Sequence, residues 1–218
     1  MITLGVLVSG SGTNLQAILD AVAAGTLDAR IAVVVSNVAG AGALERARAA
    51  GVETVVIDHR QHADRRTFDV ALVDALRARK VDLVVLAGFM RLLSEVMLEA
   101  FPMRVINVHP ALLPAFPGVH AQKQAVDYGV RVAGCTVHFV DHGTDTGPIV
   151  AQAVVSVLDD DDEESLRRRI LKREHDLLPR VLQWIAEGRV SVEASASSGG
   201  RARVRVRGAE PSVGVEQS

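Results

Sequence analysis

The sequence predicts an α/β fold: a Rossmann-like, mainly parallel sheet with helices on both faces and an antiparallel edge in the C-terminal half. Three observations carry this reading. Short runs of branched apolar residues alternate with segments of helical periodicity through the first half, the pattern of right-handed parallel crossovers. Aromatic residues make up only 3% of the chain, so Val, Leu, Ile and Ala must fill the core. That palette suits strands covered on both faces. After Pro110 the alternation stops, and two strand-like runs follow close together, as an antiparallel pair would.

The elements follow in order. Ile2 to Val8 reads as a buried strand ending in Ser9-Gly10-Ser11-Gly12. Leu15, Ile18, Leu19 and Val22 then recur at helical spacing, with Thr13 or Asn14 as the expected cap and Gly25 as the stop. Ile31 to Ser36 is a second strand, Ala43 to Ala50 a short helix ended by Gly51, and Thr54 to Ile57 a third strand. Arg65 to Ala78 places Phe68, Leu72, Ala75 and Leu76 on one helical face. Leu83 to Ala87 is a fourth strand, and Ser94 to Ala100 a helix with Ser94 as its cap. Val105 to Val108 is a fifth strand leading into His109-Pro110.

Pro110, Pro114 and Pro117 mark a long loop, followed by a helix from Ala121 to Tyr128. Cys135 to Val140 and Ile149 to Val157 are the antiparallel pair. Glu163 to Glu187 is the longest helical stretch, and the acidic run Asp159 to Glu164 lies where the helix dipole favours it. We expect one domain over residues 1–190. Residues 191–218 form an extension with a terminal strand near Val204 to Arg207 and then a flexible tail.

Composition excludes several classes. Twenty-four basic against 26 acidic residues give a net charge of −2, which is not the footprint of a nucleic-acid-binding protein. The single Cys135 excludes an internal disulfide and a cysteine-built metal cage, and its place in an apolar strand pattern makes it a core residue. His59 and His62 have metal-like spacing but no third ligand, so a solvated loop is expected and no metal site. No apolar run reaches membrane-spanning length, and the start lacks the basic region of a signal peptide. A cytoplasmic protein is expected, working on small molecules as a monomer or homodimer.

The loop Ser9 to Asn14 joins the first strand to the first helix. Glycines let backbone N–H groups converge there, and the helix N-terminus adds a positive dipole end, which together favour a phosphate. A Gly-rich tight turn is the plainer alternative. The dinucleotide fingerprint is incomplete. Leu15 holds the third glycine position, and Ser36-Asn37 offers no acidic partner for a ribose. One monophosphate fits better than a dinucleotide.

Asn107 and His109 lie two residues apart at the end of the fifth strand, so alternation puts both side chains on one side. Strand ends are where open α/β sheets place ligands. Asp145 follows in a polar, Gly-rich loop. A carboxylate beside an imidazole favours its charged form, and an imidazolium with a nearby amide can hold an oxyanion. On spacing alone, an ordinary polar site explains Asn-x-His as well. No Ser or Cys shows a nucleophile elbow. His175 in the last helix fits either a structural or a pocket-lining place.

Taken together, several segments resemble one family. They are Gly10-Ser11-Gly12-Thr13-Asn14-Leu15-Gln16, Ala87-Gly88-Phe89-Met90-Arg91-Leu92-Leu93, Asn107-Val108-His109-Pro110-Ala111-Leu112-Leu113-Pro114, Thr136-Val137-His138-Phe139-Val140 and the Asp145 loop. In this order they are similar to the phosphoribosylglycinamide formyltransferases of purine synthesis, within the folate-dependent formyltransferase superfamily. The likeness covers roughly residues 1–190.

The resemblance implies formyl transfer from 10-formyltetrahydrofolate to the amine of glycinamide ribonucleotide, with no covalent enzyme intermediate. It implies Asn107, His109 and Asp145 as the catalytic trio. It places Gly12, Thr13, Asn14 and Glu174 on the ribonucleotide. It places Arg65, Met90, Arg91, Leu92, Leu93, Asn107, Asp141, His142, Gly143, Thr144 and Asp145 on the folate.

Two departures stand out. Leu171 occupies the position, three residues before Glu174, where the family commonly has a Lys or Gln near the phosphate. Lys172 leaves the helix about 100° away, on a different face. Ala111 replaces a frequent serine, a change expected to be tolerated. A methionyl-tRNA formyltransferase is expected to carry a further C-terminal domain and a basic tRNA surface. A formyltetrahydrofolate hydrolase is expected to carry an N-terminal regulatory domain. Chain length and net charge disfavour both. A rival of another class is a non-catalytic nucleotide-binding regulator, which would keep the Gly12 loop without requiring the trio.

Overall fold

Ile2–Val8 form β1, the predicted strand, with Val6, Leu7 and Val8 fully buried. The structure is a computed structural model that describes residues 1–193, 202–208 and 212–213. The chain divides into two units, Met1–Asn107 and Val108–Ser218.

In the first unit, α1 (Thr13–Ala23), β2 (Ala29–Ser36), α2 (Gly42–Ala49) and β3 (Thr54–Val56) follow β1. A short 3-10 turn at His59–Gln61 precedes α3 (Arg65–Arg77), β4 (Leu83–Leu86), α4 (Glu95–Ala100) and β5 (Val105–His109). The strands pair in parallel in the order β3-β2-β1-β4-β5. Val6 stands beside Val34 on one side and Val85 on the other, so β1 is central and its apolar run is buried on both faces. The chain steps outward from β1 to β3, then returns to β4 on the opposite side. That reversal creates a switch point beside the C-terminal end of β1, the place where such sheets hold ligands.

In the second unit, α5 (Ala121–Tyr128) precedes β6 (Val132–Phe139) and β7 (Ile149–Ser156), which pair antiparallel as predicted. The long helix α6 (Glu163–Ala186) packs on both strands. Leu166, Leu178, Val181 and Leu182 on its inner face are fully buried. Asp162 and Ser165 form a capping box at its start, and Asp161 pairs with Arg169 one turn inside. Pro179 lies within this helix.

Element boundaries differ from expectation by one to three residues, β6 beginning at Val132 rather than Cys135. Two caps differ in kind. Gly12 in the left-handed region, rather than Thr13 or Asn14, precedes α1, and Ser94 precedes α4 without a side-chain cap bond. The predicted terminal strand is β9 (Arg203–Val206), which pairs antiparallel with β8 (Val190–Glu193) in a separate small sheet. A two-residue β10 (Ser212–Val213) runs parallel to β7. The expected flexible tail falls mostly outside the described residues. No helix among the described residues is long and apolar enough to cross a membrane.

Candidate active site

In the first unit, the loop after β1 meets the loop after β4. Ser9 N–H donates to the Gly88 carbonyl at 3.1 Å. The Ser9 hydroxyl accepts from Met90 N–H at 2.9 Å and donates to Asn37 Oδ1 at 2.6 Å. The Asn37 amide in turn donates to His59 Nδ1 at 3.3 Å. Gly12 has φ +76°, and a Cβ there would stand 2.5 Å from Ala43 Cα, so glycine is required for both conformation and space. With no side-chain cap on α1, its first turn presents bare N–H groups beside Gly12 and Thr13. Arg46 reaches back from α2, donating from Nε to the Ser11 carbonyl at 2.9 Å and from Nη1 to Gln16 at 3.2 Å. A fixed loop with a guanidinium against it is a ready anion cradle.

The second loop, Gly88 to Leu93, is open outward. Met90 is 71% exposed and Leu92 59%. The N–H groups of Arg91 and Leu92 donate to no protein group among the described residues. Such a strip of backbone donors beside exposed apolar side chains suits a flat, amide-edged ring. Arg65, at the start of α3, is exposed.

In the second unit, His109 is buried at the end of β5, and its ring is held from both sides. Nε2 lies 2.9 Å from the Phe116 carbonyl, which can only accept, so Nε2 carries a proton. Nδ1 lies 3.4 Å from Asp145 Oδ2. Both ring nitrogens thus face oxygen acceptors, which fixes the plane of the ring.

Asp145 sits at φ +54°, a conformation Asp tolerates better than most residues, and its Oδ2 also accepts from Gly118 N–H at 2.8 Å. Asp141 shapes this loop by accepting from Gly143 N–H and from the Thr146 hydroxyl. The loop before it is anchored too. The Thr136 hydroxyl accepts from Leu113 N–H at 3.0 Å and donates to the Ala111 carbonyl at 2.7 Å.

A third titratable group, absent from the predicted site, joins these two. His138 is 2% exposed, donates from Nδ1 to the Phe139 carbonyl at 2.8 Å, and turns Nε2 toward Asp145 Oδ1 at 3.7 Å. Burial pushes its ring below the usual histidine range, with the Phe139 carbonyl and Asp145 opposing that in part. The signal was a histidine inside the otherwise apolar segment Val137 to Val140.

The remaining predicted residues fall as follows. Asn107 ends the first unit, half-buried on β5. His142, Gly143 and Thr144 are exposed in the Asp145 loop. Asn14 is 8% exposed and Glu174 6%. Leu171 is half-buried and Lys172 exposed, as the helical rotation requires. Cys135 is a core residue whose thiol burial pushes up to about 12. His59 and His62 do not form a solvated loop: both are half-buried against the edge of the Phe68 ring, at 6.2 and 5.6 Å. Among the described residues, no group of three or more His, Cys, Asp or Glu is placed to hold a metal.

Comparison with known proteins identifies the family. A trifunctional purine biosynthetic protein adenosine-3 of Drosophila melanogaster is 47% identical over 195 residues, covering 88% of this chain and 14% of that protein. The chain therefore spans only a small part of that relative. A phosphoribosylglycinamide formyltransferase of Escherichia coli (strain K12) is 40% identical over 192 residues, covering 88% of this chain and 91% of the relative. The crystal structure of glycinamide ribonucleotide transformylase 1 from Symbiobacterium toebii superposes with a TM-score of 0.90 at 55% identity, covering 94% of each chain. The formyl transferase family pattern spans residues 3–182, from β1 into the last helix and through both units' candidate residues. The chain belongs to the formyl transferase family.

Proposed function

We propose that this chain transfers the formyl group of 10-formyltetrahydrofolate to the amine of glycinamide ribonucleotide, releasing tetrahydrofolate and formylglycinamide ribonucleotide. The observation that carries the chemistry is His109, buried and flanked by Asp145. Direct transfer needs an oxyanion stabiliser and a path for one proton, and no covalent enzyme intermediate.

In this reading the substrate amine attacks the formyl carbon, and the carbonyl electrons become a tetrahedral oxyanion. Asn107 donates its amide to that oxygen. His109 stabilises it as a proton donor, exchanging the Phe116 carbonyl for the developing charge. Asp145 faces His109 Nδ1 and holds the ring in place. Together with His138, it organises water that carries the amine's proton toward the departing folate nitrogen. The C–N bond to the folate then breaks.

Gly12, Thr13 and Asn14 hold the ribonucleotide phosphate through backbone donors and the helix end, with Arg46 behind them, and Glu174 contacts the same substrate. Met90 to Leu93 and Asp141 to Asp145 embrace the pterin, and Arg65 meets the acidic tail of the folate. We read residues 1–190 as the catalytic domain, acting on small molecules in the cytoplasm as a monomer or homodimer.

The test is a spectroscopic assay with 10-formyltetrahydrofolate, with and without glycinamide ribonucleotide. Tetrahydrofolate forming only when the ribonucleotide is present supports the transferase. Turnover without it makes the chain a hydrolase. Folate binding without turnover makes it a binding module.

A further inference from the structure

Asp69 is a buried carboxylate that the proposed reaction does not use. It lies on α3 with no exposed surface. One oxygen, Oδ2, accepts from both Ser94 N–H, at 2.5 Å, and the Ser94 hydroxyl, at 2.7 Å. The other, Oδ1, is buried and has no hydrogen-bond partner among the described residues. Burial pushes this carboxyl up, and the Ser94 bonds and the Arg65 cation one turn earlier only partly offset that. Burying a charge with half its acceptor capacity unused is a poor way to stabilise a fold.

Ser94 shows the same departure from local advantage. It occupies the N-cap position of α4, where its hydroxyl would normally accept from the helix's first turn, yet it makes no side-chain cap bond. Its hydroxyl goes to Asp69 instead. α3 already has its own capping box through Asp64 and Thr67, so Asp69 adds nothing to that helix end. Local rules broken in two neighbouring elements point to a demand made elsewhere.

That demand is met in the loop between them. The Gly88–Leu93 loop is pinned at its start by Ser9, through Gly88 O and Met90 N–H. Asp69 pins its end, through Ser94. Between the pins lie the exposed side chains of Met90 and Leu92 and the outward N–H groups of Arg91 and Leu92. A strip of backbone recognises a flat ring only if its spacing is fixed, because backbone donors cannot re-aim as side chains do.

We infer that Asp69 is a positioning residue for the folate: it clamps Ser94 and so sets the Met90–Leu93 backbone. The inference rests on the proposed function, which assigns that loop and Arg65 to the folate.

The experiment compares Asp69→Asn, Asp69→Ala and Ser94→Ala with the wild-type chain. It uses steady-state kinetics in each substrate, tetrahydrofolate binding by calorimetry, and thermal melts. Asp69→Asn keeps an acceptor for Ser94 but removes the charge. We expect the folate KM to rise about tenfold and the ribonucleotide KM to stay within about twofold. The melt should shift by no more than about 4 °C, because relief of a buried charge offsets weaker bonds to Ser94. Asp69→Ala should raise the folate KM further, and Ser94→Ala, which keeps the N–H bond, by about threefold.

Equal rises in both KM values, or a lowered melt with unchanged folate KM, would overturn the inference and leave Asp69 structural. Should Asp69→Ala fail to fold, Asp69→Asn and Ser94→Ala still decide. A wild-type chain that turns over but tolerates all three variants refutes only the clamp. A wild-type chain that binds no tetrahydrofolate refutes the folate reading itself.

Discussion

The two units build their candidate subsites from different materials. In the first, the Gly12 and Gly88–Leu93 loops are held by neutral hydrogen bonds through Ser9 and Asn37, and they present backbone. In the second, three titratable side chains converge: Asp145 stands 3.4 Å from His109 and 3.7 Å from His138. Backbone cradles bind without changing protonation, whereas a His–Asp–His cluster is suited to holding and moving protons. The difference teaches where damage should register. Changes in the backbone loops of the first unit should move KM, and changes in the His109–Asp145–His138 cluster of the second should move kcat.

The largest effect should come from the second unit. His109→Ala is expected to lower kcat by about 10²–10⁴, the range typical of a general acid or base, while both KM values change by less than about threefold. Asp145→Asn is the sharper version. Asparagine tolerates the φ of +54° and can still accept from Gly118 N–H, so it removes charge and little else. Its kcat should fall by roughly 10²–10³. Steady-state kinetics with each substrate varied would check both, and a pure KM effect from either variant breaks the comparison.

Next comes the first unit's tightest point. Gly12→Ala forces a Cβ to within 2.5 Å of Ala43 Cα at a φ of +76°. We expect a loss of about 1–3 kcal/mol of stability and a ribonucleotide KM raised at least tenfold, with the folate KM nearly unchanged. Thermal melts and initial rates would check this. A variant that melts lower yet binds the ribonucleotide normally would show that Gly12 serves the fold and not the phosphate.

Sequence reading found the backbone cradle more readily than the side-chain clusters, for physical reasons. The strand–glycine–helix order around Gly12 is local, and so is the alternation that puts Asn107 and His109 on one side of β5. Asp145 stands out in the sequence as a carboxylate in a polar, Gly-rich loop, but spacing along the chain does not report the closure of that loop onto a strand. Asp69 was passed over because α3 was read by its apolar residues. Yet Asp69, Leu72 and Leu76 share one helical phase, and all three are buried. Ser94 was read as a cap because its local position says so, and its true partner lies on another helix. Thr13 and Asn14 were favoured over Gly12 as caps because side-chain capping is the commoner device. Here the chain leaves those N–H groups uncapped.

The smallest expected effect separates the units by sign. His138 is buried in the second unit, and its ring titrates below the ordinary value of 6.5, with Asp145 only partly opposing the cost of burial. As pH falls through 6.5, the unfolded chain takes up a proton that the folded chain resists. His138 therefore contributes stability that is present above that pH and lost below it, by at most about 1.4 kcal/mol per pH unit. Asp69 in the first unit titrates above its ordinary 3.8, so its charged form is disfavoured by folding. Its contribution runs the other way: stability is gained as pH falls through the window above 3.8. Denaturant unfolding at pH values on either side of 6.5 should show the first loss, and His138→Asn should flatten it. In the more acidic window, Asp69→Asn should remove a gain that the wild type shows. Slopes of the same sign in the two windows would mean that burial does not disfavour the charged form of both groups, and the contrast between the units would then not extend to their proton linkage.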